Sequence, residues 1–138
     1  MCLSLVAKGE FVVSITPLEF EGGAPDSPLG RMSIDKQITG DLVATTQGQM
    51  LTGMTPVQGS AGYVAVEYVT GALHGMTGAF VLLHTGLMNR GEASLSVVVV
   101  PDSGTGALAG MSGEFTIIRA DGKHFYELNY TLPEQKGH

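Results

Sequence analysis

The sequence predicts an all-β protein, one antiparallel domain closed into a small barrel. Three observations lead there. Its 20 glycines among 138 residues are spaced as punctuation, not gathered into a linker. Between them apolar residues alternate or form short β-branched runs, and no segment carries a 3.6-residue period. One phrase also occurs twice: Gly71-Ala-Leu-His-Gly75-Met-Thr-Gly-Ala-Phe80 returns as Gly106-Ala-Leu-Ala-Gly110-Met-Ser-Gly-Glu-Phe115.

Taken in order, the strands expected are Gly9–Pro17, Arg31–Thr39, Asp41–Thr55, Gly62–His74, Thr77–Gly86, Glu92–Val100, Thr105–Ala109, Ser112–Ala120 and Lys123–Leu132. Pro25 and Pro28 make Glu21–Gly30 an excursion loop, and Pro56–Ala61 reads the same way. The chain is expected to form a single domain over residues 1–138, with 133–138 as a flexible tail.

The doubled phrase reads as one hairpin built twice. Gly75-Met76 and Gly110-Met111 would be two-residue type II′ turns, with Gly supplying the positive φ. On that register Glu67 faces His84 and Gly71 faces Phe80. In the second copy Gly106 faces Phe115, and Asp102 faces Arg119 as a cross-strand ion pair. A ring across a glycine shields exposed backbone, which would explain the recurrence.

One face of the first hairpin then carries Ala65, Glu67, Val69, Gly71 and Leu73 opposite Gly78, Phe80, Leu82, His84 and Gly86. It is an apolar wall with an ionisable pair set into it. In the last strand His124, Tyr126, Leu128, Tyr130 and Leu132 share a face, the better candidate for the interior. Buried tyrosine hydroxyls need partners, which a Glu, a His or water could supply.

Glu67 and His84 are therefore the first site candidates. Such a pair can hold or move a proton near neutral pH, orient a polar group of a lipophilic ligand, or tie two strands together. His124, Tyr126, Tyr130 and Phe80 are the further candidates for lining a ligand site. His74, beside a tight turn, is expected to face solvent, and His138 is terminal. Ser103 reads as a turn residue. Glu67, His84 and His124 lack the short spacing that makes a His₂Glu zinc set specific, so no metal and no cofactor is expected.

The formal net charge of −6 argues against nucleic acid and anionic membrane surfaces as partners. Cys2 alone builds neither a disulfide framework nor a thiolate metal site. The first apolar stretch is too short for a signal peptide, so a cytoplasmic protein is expected. Only 14% of residues are charged, which leaves room for self-association through an apolar outer face.

With the hairpins placed, the chain resembles domain-of-unknown-function family 3224, small bacterial proteins of this length. The resemblance rests on Glu67-Tyr-Val-Thr-Gly71, Gly75-Met-Thr-Gly-Ala-Phe80-Val-Leu-Leu-His84-Thr-Gly86, Val99-Val-Pro101-Asp-Ser103-Gly-Thr-Gly106-Ala-Leu-Ala-Gly110 and Tyr126-Glu-Leu-Asn-Tyr130. It implies an eight-stranded, mostly meandering, calycin-like barrel related to plant allene oxide cyclases, with Thr105–Ala109 absorbed into a long bent strand. It also implies that Glu67 and His84 are the family's characteristic pair, and that Asp102 stands where the family commonly has glycine. Allene oxide cyclases form trimers, so the resemblance points to an oligomer. Three functions stay open at this point: a barrel binding a small lipophilic molecule, a cofactor-independent isomerase or cyclase using the Glu–His pair, or a packed structural barrel.

Overall fold

Eight long antiparallel strands wind into a closed barrel. The computed structural model describes residues 2–133; His138 and most of the expected tail lie outside them. The strands are β1 (Cys2–Leu18), β2 (Leu29–Gly40), β3 (Leu42–Met54), β4 (Ala61–Leu73), β5 (Met76–Asn89), β6 (Glu92–Val99), β7 (Thr105–Gly106), β8 (Ser112–Ala120) and β9 (Lys123–Pro133). Each long strand pairs with the next, β6 passes to β8, and β9 returns to β1, so no long edge is left open. The two-residue β7 lies on β5 beyond the end of β6, as the continuation of one bent strand.

β1 begins seven residues earlier than expected, because Gly9 lies inside the strand and does not start it. Its first half pairs with β9 and its second with β2, and Gly9 is paired to both Tyr126 and Gly40. A Cβ at Gly9 would lie 2.0 Å from the Thr39 carbonyl oxygen, so only glycine lets the strands cross this closely.

The first doubled phrase forms a hairpin, but its turn is one residue earlier than expected. His74 and Gly75 both have positive φ, 47° and 79°, the signature of a type I′ turn. Arg90-Gly91 and Asp121-Gly122 repeat this pattern between β5–β6 and β8–β9. His74 tolerates the left-handed backbone because it is anchored: its N–H donates to the Asp41 carbonyl, and its Nδ1 is 2.5 Å from the Tyr130 hydroxyl. Glu67 therefore pairs with Leu82 and Ala65 with His84. The slip spans two positions, so every residue keeps its face.

The second copy is not a hairpin. Ala109 does not take positive φ, and Leu108–Met111 coils through i→i+3 hydrogen bonds into a plug that buries Leu108 and Met111 in the core. Gly106 pairs with Gly78, and β8 turns to β9 and β6, so Gly106 does not face Phe115. Arg119 faces His124 and forms no ion pair with Asp102. Gly71 faces Gly78, not Phe80. The ring-over-glycine pair does occur, between Tyr63 and Gly86, where a Cβ would meet the Tyr63 ring at 2.2 Å.

The interior is divided. Around the plug, Leu42, Leu73, Phe80, Phe115, Tyr126 and Tyr130 pack one end solid. At the other end the inward-phased Ile15, Met88 and Leu95 remain 43–48% exposed, because the barrel is not filled there. The wall is thinnest between β6 and β8, which share the single pair Val98–Glu114.

Asp102 holds φ 63° before Ser103, whose N–H closes the turn on the Val100 carbonyl at 3.1 Å. The Ser103 hydroxyl accepts from the Val81 N–H, a turn role as expected. Left-handed backbone favours glycine. Asp102→Gly should therefore raise stability by a few tenths to about 1 kcal/mol in urea titration, while Asp102→Val should lower it.

Candidate functional site

A carboxylate sits at the centre of the barrel with no exposure to solvent. β4 alternates Ala65, Glu67, Val69 inward, so the strand period alone points Glu67 into the core. Its cross-strand partner on β3 is Gly48, where a Cβ would lie 2.4 Å from the Val66 carbonyl oxygen and 2.9 Å from the Glu67 side chain. Glycine there lets the carboxylate lie against the neighbouring strand.

Three donors hold it. Oε1 accepts from Lys36 Nζ at 2.9 Å and from His84 Nε2 at 2.5 Å, and Oε2 accepts from the Thr46 hydroxyl at 2.7 Å. Lys36 and His84 are 3% and 1% exposed. The β2–β3 ladder is interrupted between Ile34–Gly48 and Gln37–Thr45, and there the Lys36 N–H donates to Thr46 Oγ1 at 2.9 Å. Thr46 thus links backbone to carboxylate. The Lys36 ammonium also lies 4.7 Å from the centre of the Phe11 ring and 5.4 Å from that of Phe115, a cation–π seat for a desolvated charge.

Burial by itself would raise the Glu67 pKa. The hydrogen bonds from His84, Lys36 and Thr46 and the Lys36 charge outweigh it and hold the carboxyl at about 2. Glu67 is therefore a fixed anion and no proton donor at neutral pH. Because it accepts from Nε2, that nitrogen carries the His84 proton. In the neutral ring Nδ1 has the lone pair, and among the described residues it has no protein partner.

Above this network the open end holds a cavity of about 510 Å³. Lys36 and His84 line it, while Glu67 lies behind them. Its walls are apolar, among them Ile15, Ile34, Met50, Leu95 and Ile117, and Tyr63, Arg119 and His124 stand around them. A second recess of about 280 Å³, almost wholly apolar, adjoins it and shares Tyr63 and Arg119. Burial raises the Tyr63 pKa, the nearby Glu67 charge raises it further, and Arg119 opposes both.

Of the residues expected at a site, Glu67, His84 and His124 gather at this end, with His124 stacked on Phe11 at 5.1 Å. Phe80, Tyr126 and Tyr130 do not line the cavity; they belong to the packed end. The Tyr126 hydroxyl donates to the Thr39 carbonyl and accepts from the Leu42 N–H, and Tyr130 bonds His74. His74 is thus a structural anchor as well as a surface residue, with Nε2 3.7 Å from Asp41. Lys36, Thr46, Tyr63 and Arg119 had no place among the expected site residues. Among the described residues no three His, Cys, Asp or Glu side chains assemble to hold a metal ion. Among the described residues no helix is long and apolar enough to cross a membrane.

The profile of the family described as Protein of unknown function (DUF3224) matches residues 7–130. The chain belongs to this family. It is 42% identical to a protein of unknown function from the DUF3224 family of Shewanella oneidensis MR-1, whose crystal structure was determined at 1.84 Å. The match covers 96% of this chain and 100% of that one, with a TM-score of 0.90. No curated protein matches significantly.

Because the Glu67 pKa is depressed, its ionised form stabilises the fold above the ordinary carboxylate pKa, and that contribution is lost as pH falls from 4.5 toward 2. Glu67→Gln should flatten this acid limb in thermal melts. It should also cost about 3–5 kcal/mol at neutral pH, because it leaves Lys36 buried without its counter-charge. The double variant Lys36→Met, Glu67→Gln should recover a large part of that loss.

Proposed function

We propose that this protein is a cofactor-independent isomerase or cyclase that moves a proton within a substrate whose body is largely apolar, held at the open end of the barrel. One observation carries the reading: the buried Glu67–His84–Lys36 network forms the floor of an apolar cavity, with a histidine nitrogen left over. In this mechanism His84 Nδ1 takes a proton from a carbon beside a substrate carbonyl. The C–H electron pair becomes part of an enolate, and the Lys36 ammonium offsets the charge developing on oxygen. In a β,γ-unsaturated substrate that enolate extends into the C=C bond as a dienolate, so the proton returns from Nδ1 to the γ-carbon and the double bond moves into conjugation with the carbonyl. Nothing is oxidised or reduced. Glu67 fixes the tautomer and stabilises the transient imidazolium, a task for which a carboxylate that stays ionised is suited.

A barrel that only binds a lipophilic molecule would use the same cavity. It would not need two buried ionisable groups beside a carboxylate, since a hydroxyl could anchor a ligand at much lower desolvation cost. A packed structural barrel is hard to reconcile with apolar side chains left unpacked at one end.

The test is deuterium incorporation into medium-chain methyl ketones, heptan-2-one to undecan-2-one, followed by proton NMR in D₂O. The wild-type protein should accelerate exchange at the carbons beside the carbonyl. His84→Ala should lower that rate by about 100-fold or more, and Lys36→Met by at least about tenfold. Ketones that bind the wild-type protein but exchange no faster than in buffer would sink the catalytic reading.

A further inference from the structure

We propose that the molecule held in this cavity is an amphipathic carboxylate, its headgroup bound at the barrel mouth by Arg119 and its apolar body lying inward against the cavity walls. The inference deepens the functional reading above and rests on the cavity being a ligand site. It does not depend on the proton transfer.

Every ionisable acid–base group lining the cavity besides Tyr63 is basic. Lys36, His84, Arg119 and His124 line it, and no Asp or Glu does. This is unexpected on a chain with 13 acidic and 7 basic residues. Cavity walls of low polarity focus such a field, so the recess attracts anions although the protein as a whole is acidic.

The position of the headgroup follows from how the charges are balanced. Lys36 is already neutralised by Glu67 at 2.9 Å, and His84 donates to the same oxygen. Before His84 takes up a proton the floor is therefore close to neutral and would repay a resident anion little for losing its water; it turns net positive only while the imidazolium exists, which suits a transient enolate and not a permanent headgroup. Among the described residues the Arg119 guanidinium has no ion-pair or hydrogen-bond partner. It stands directly across from His124 in the β8–β9 ladder, on the inward-facing phase of both strands. A guanidinium presents paired N–H donors that match the two oxygens of a carboxylate, and His124 stands beside it as a further donor. Arg119 also borders the second apolar recess, so the mouth offers one cation set between two apolar surfaces. A carboxylate with a hydrocarbon body fits this arrangement, whereas a polyanion would meet only one unbalanced cation.

Isothermal titration of the wild-type protein with decanoate, decan-1-ol and decylammonium tests the proposal. Decanoate should bind at least about tenfold more tightly than the alcohol, and the ammonium more weakly than either, with the decanoate preference shrinking as salt is raised. Arg119→Gln should bring decanoate and decanol within about twofold of each other, and Arg119→Glu should invert the order of decanoate and decylammonium. Arg119 is exposed, so these variants are expected to keep the wild-type melting temperature. Equal affinity for acid and alcohol, retention of the preference in Arg119→Gln, or failure of decanoate to bind at all would overturn the proposal. Ketone exchange without a carboxylate preference would remove this inference and leave the catalysis standing. A carboxylate preference without exchange would do the reverse.

Discussion

A carboxylate without access to water is the constraint from which much of this barrel follows. An ionised group in an apolar interior is tolerated only when its lone pairs are met by donors and its charge is balanced nearby. Glu67 meets both conditions with Lys36, His84 and Thr46. Each partner in turn imposes a local demand. Lys36 must point inward between Ile34 and Ile38, where the two rings of Phe11 and Phe115 accept its ammonium. Thr46 takes the Lys36 N–H, and the ladder between β2 and β3 is broken to allow it. Gly48 must lack a Cβ so that the carboxylate can lie beside the strand. Substituting any one of these positions alone leaves the others with an unmet requirement, so the group behaves as a unit.

The sequence carried the parity of the strands more firmly than their register. Face assignment depends only on counting residues in twos, and the alternations from Ala65 to Leu73 and from Tyr126 to Leu132 put the right side chains inside. Register depends on which residues form the turn. Glycine in Gly75-Met76 is a sound signal for a type II′ turn, yet His74-Gly75 won because the His74 ring and backbone are held by Tyr130 and Asp41. Those partners are 56 and 33 residues away, and no local pattern announces them. The second copy of the phrase failed for the same reason in reverse. With Ala109 in the place of His74 nothing anchors a type I′ turn, and the segment folds inward as a plug through Leu108 and Met111.

The site was half legible. Glu67 and His84 stood out because ionisable residues on an apolar face are conspicuous. Lys36 leaves the same kind of trace, an inward phase shared with Ile34 and Ile38, but a lysine in a strand is ordinarily solvated, so the pattern alone does not single it out. Tyr63 and Arg119 could not be placed from the strand pattern alone, because what matters is their height along the barrel. Tyr126 and Tyr130 share their strand face with His124, yet they fall in the packed end while His124 reaches the mouth. Strand alternation specifies in or out; only the closure of the barrel specifies which end.

That division into two ends bears on function. A barrel selected for stability alone would extend the packing of Leu73, Phe80 and Tyr130 through its whole length, and would put apolar side chains where Lys36, Glu67 and His84 now stand. Such replacements of buried ionic groups are often neutral or stabilising. Here the ionic network lies at the boundary, one side against packed rings and the other against the cavity. The packed end supplies the rigidity that a preorganised site needs, since Phe11 and Phe115 fix the Lys36 ammonium and Gly48 and Thr46 fix the carboxylate. The open end supplies access. Charges held immobile on one side and reachable on the other are poorly explained as a tie between strands, which would serve as well in the middle of the packed core. They suit the proposed reaction at the floor of an apolar pocket.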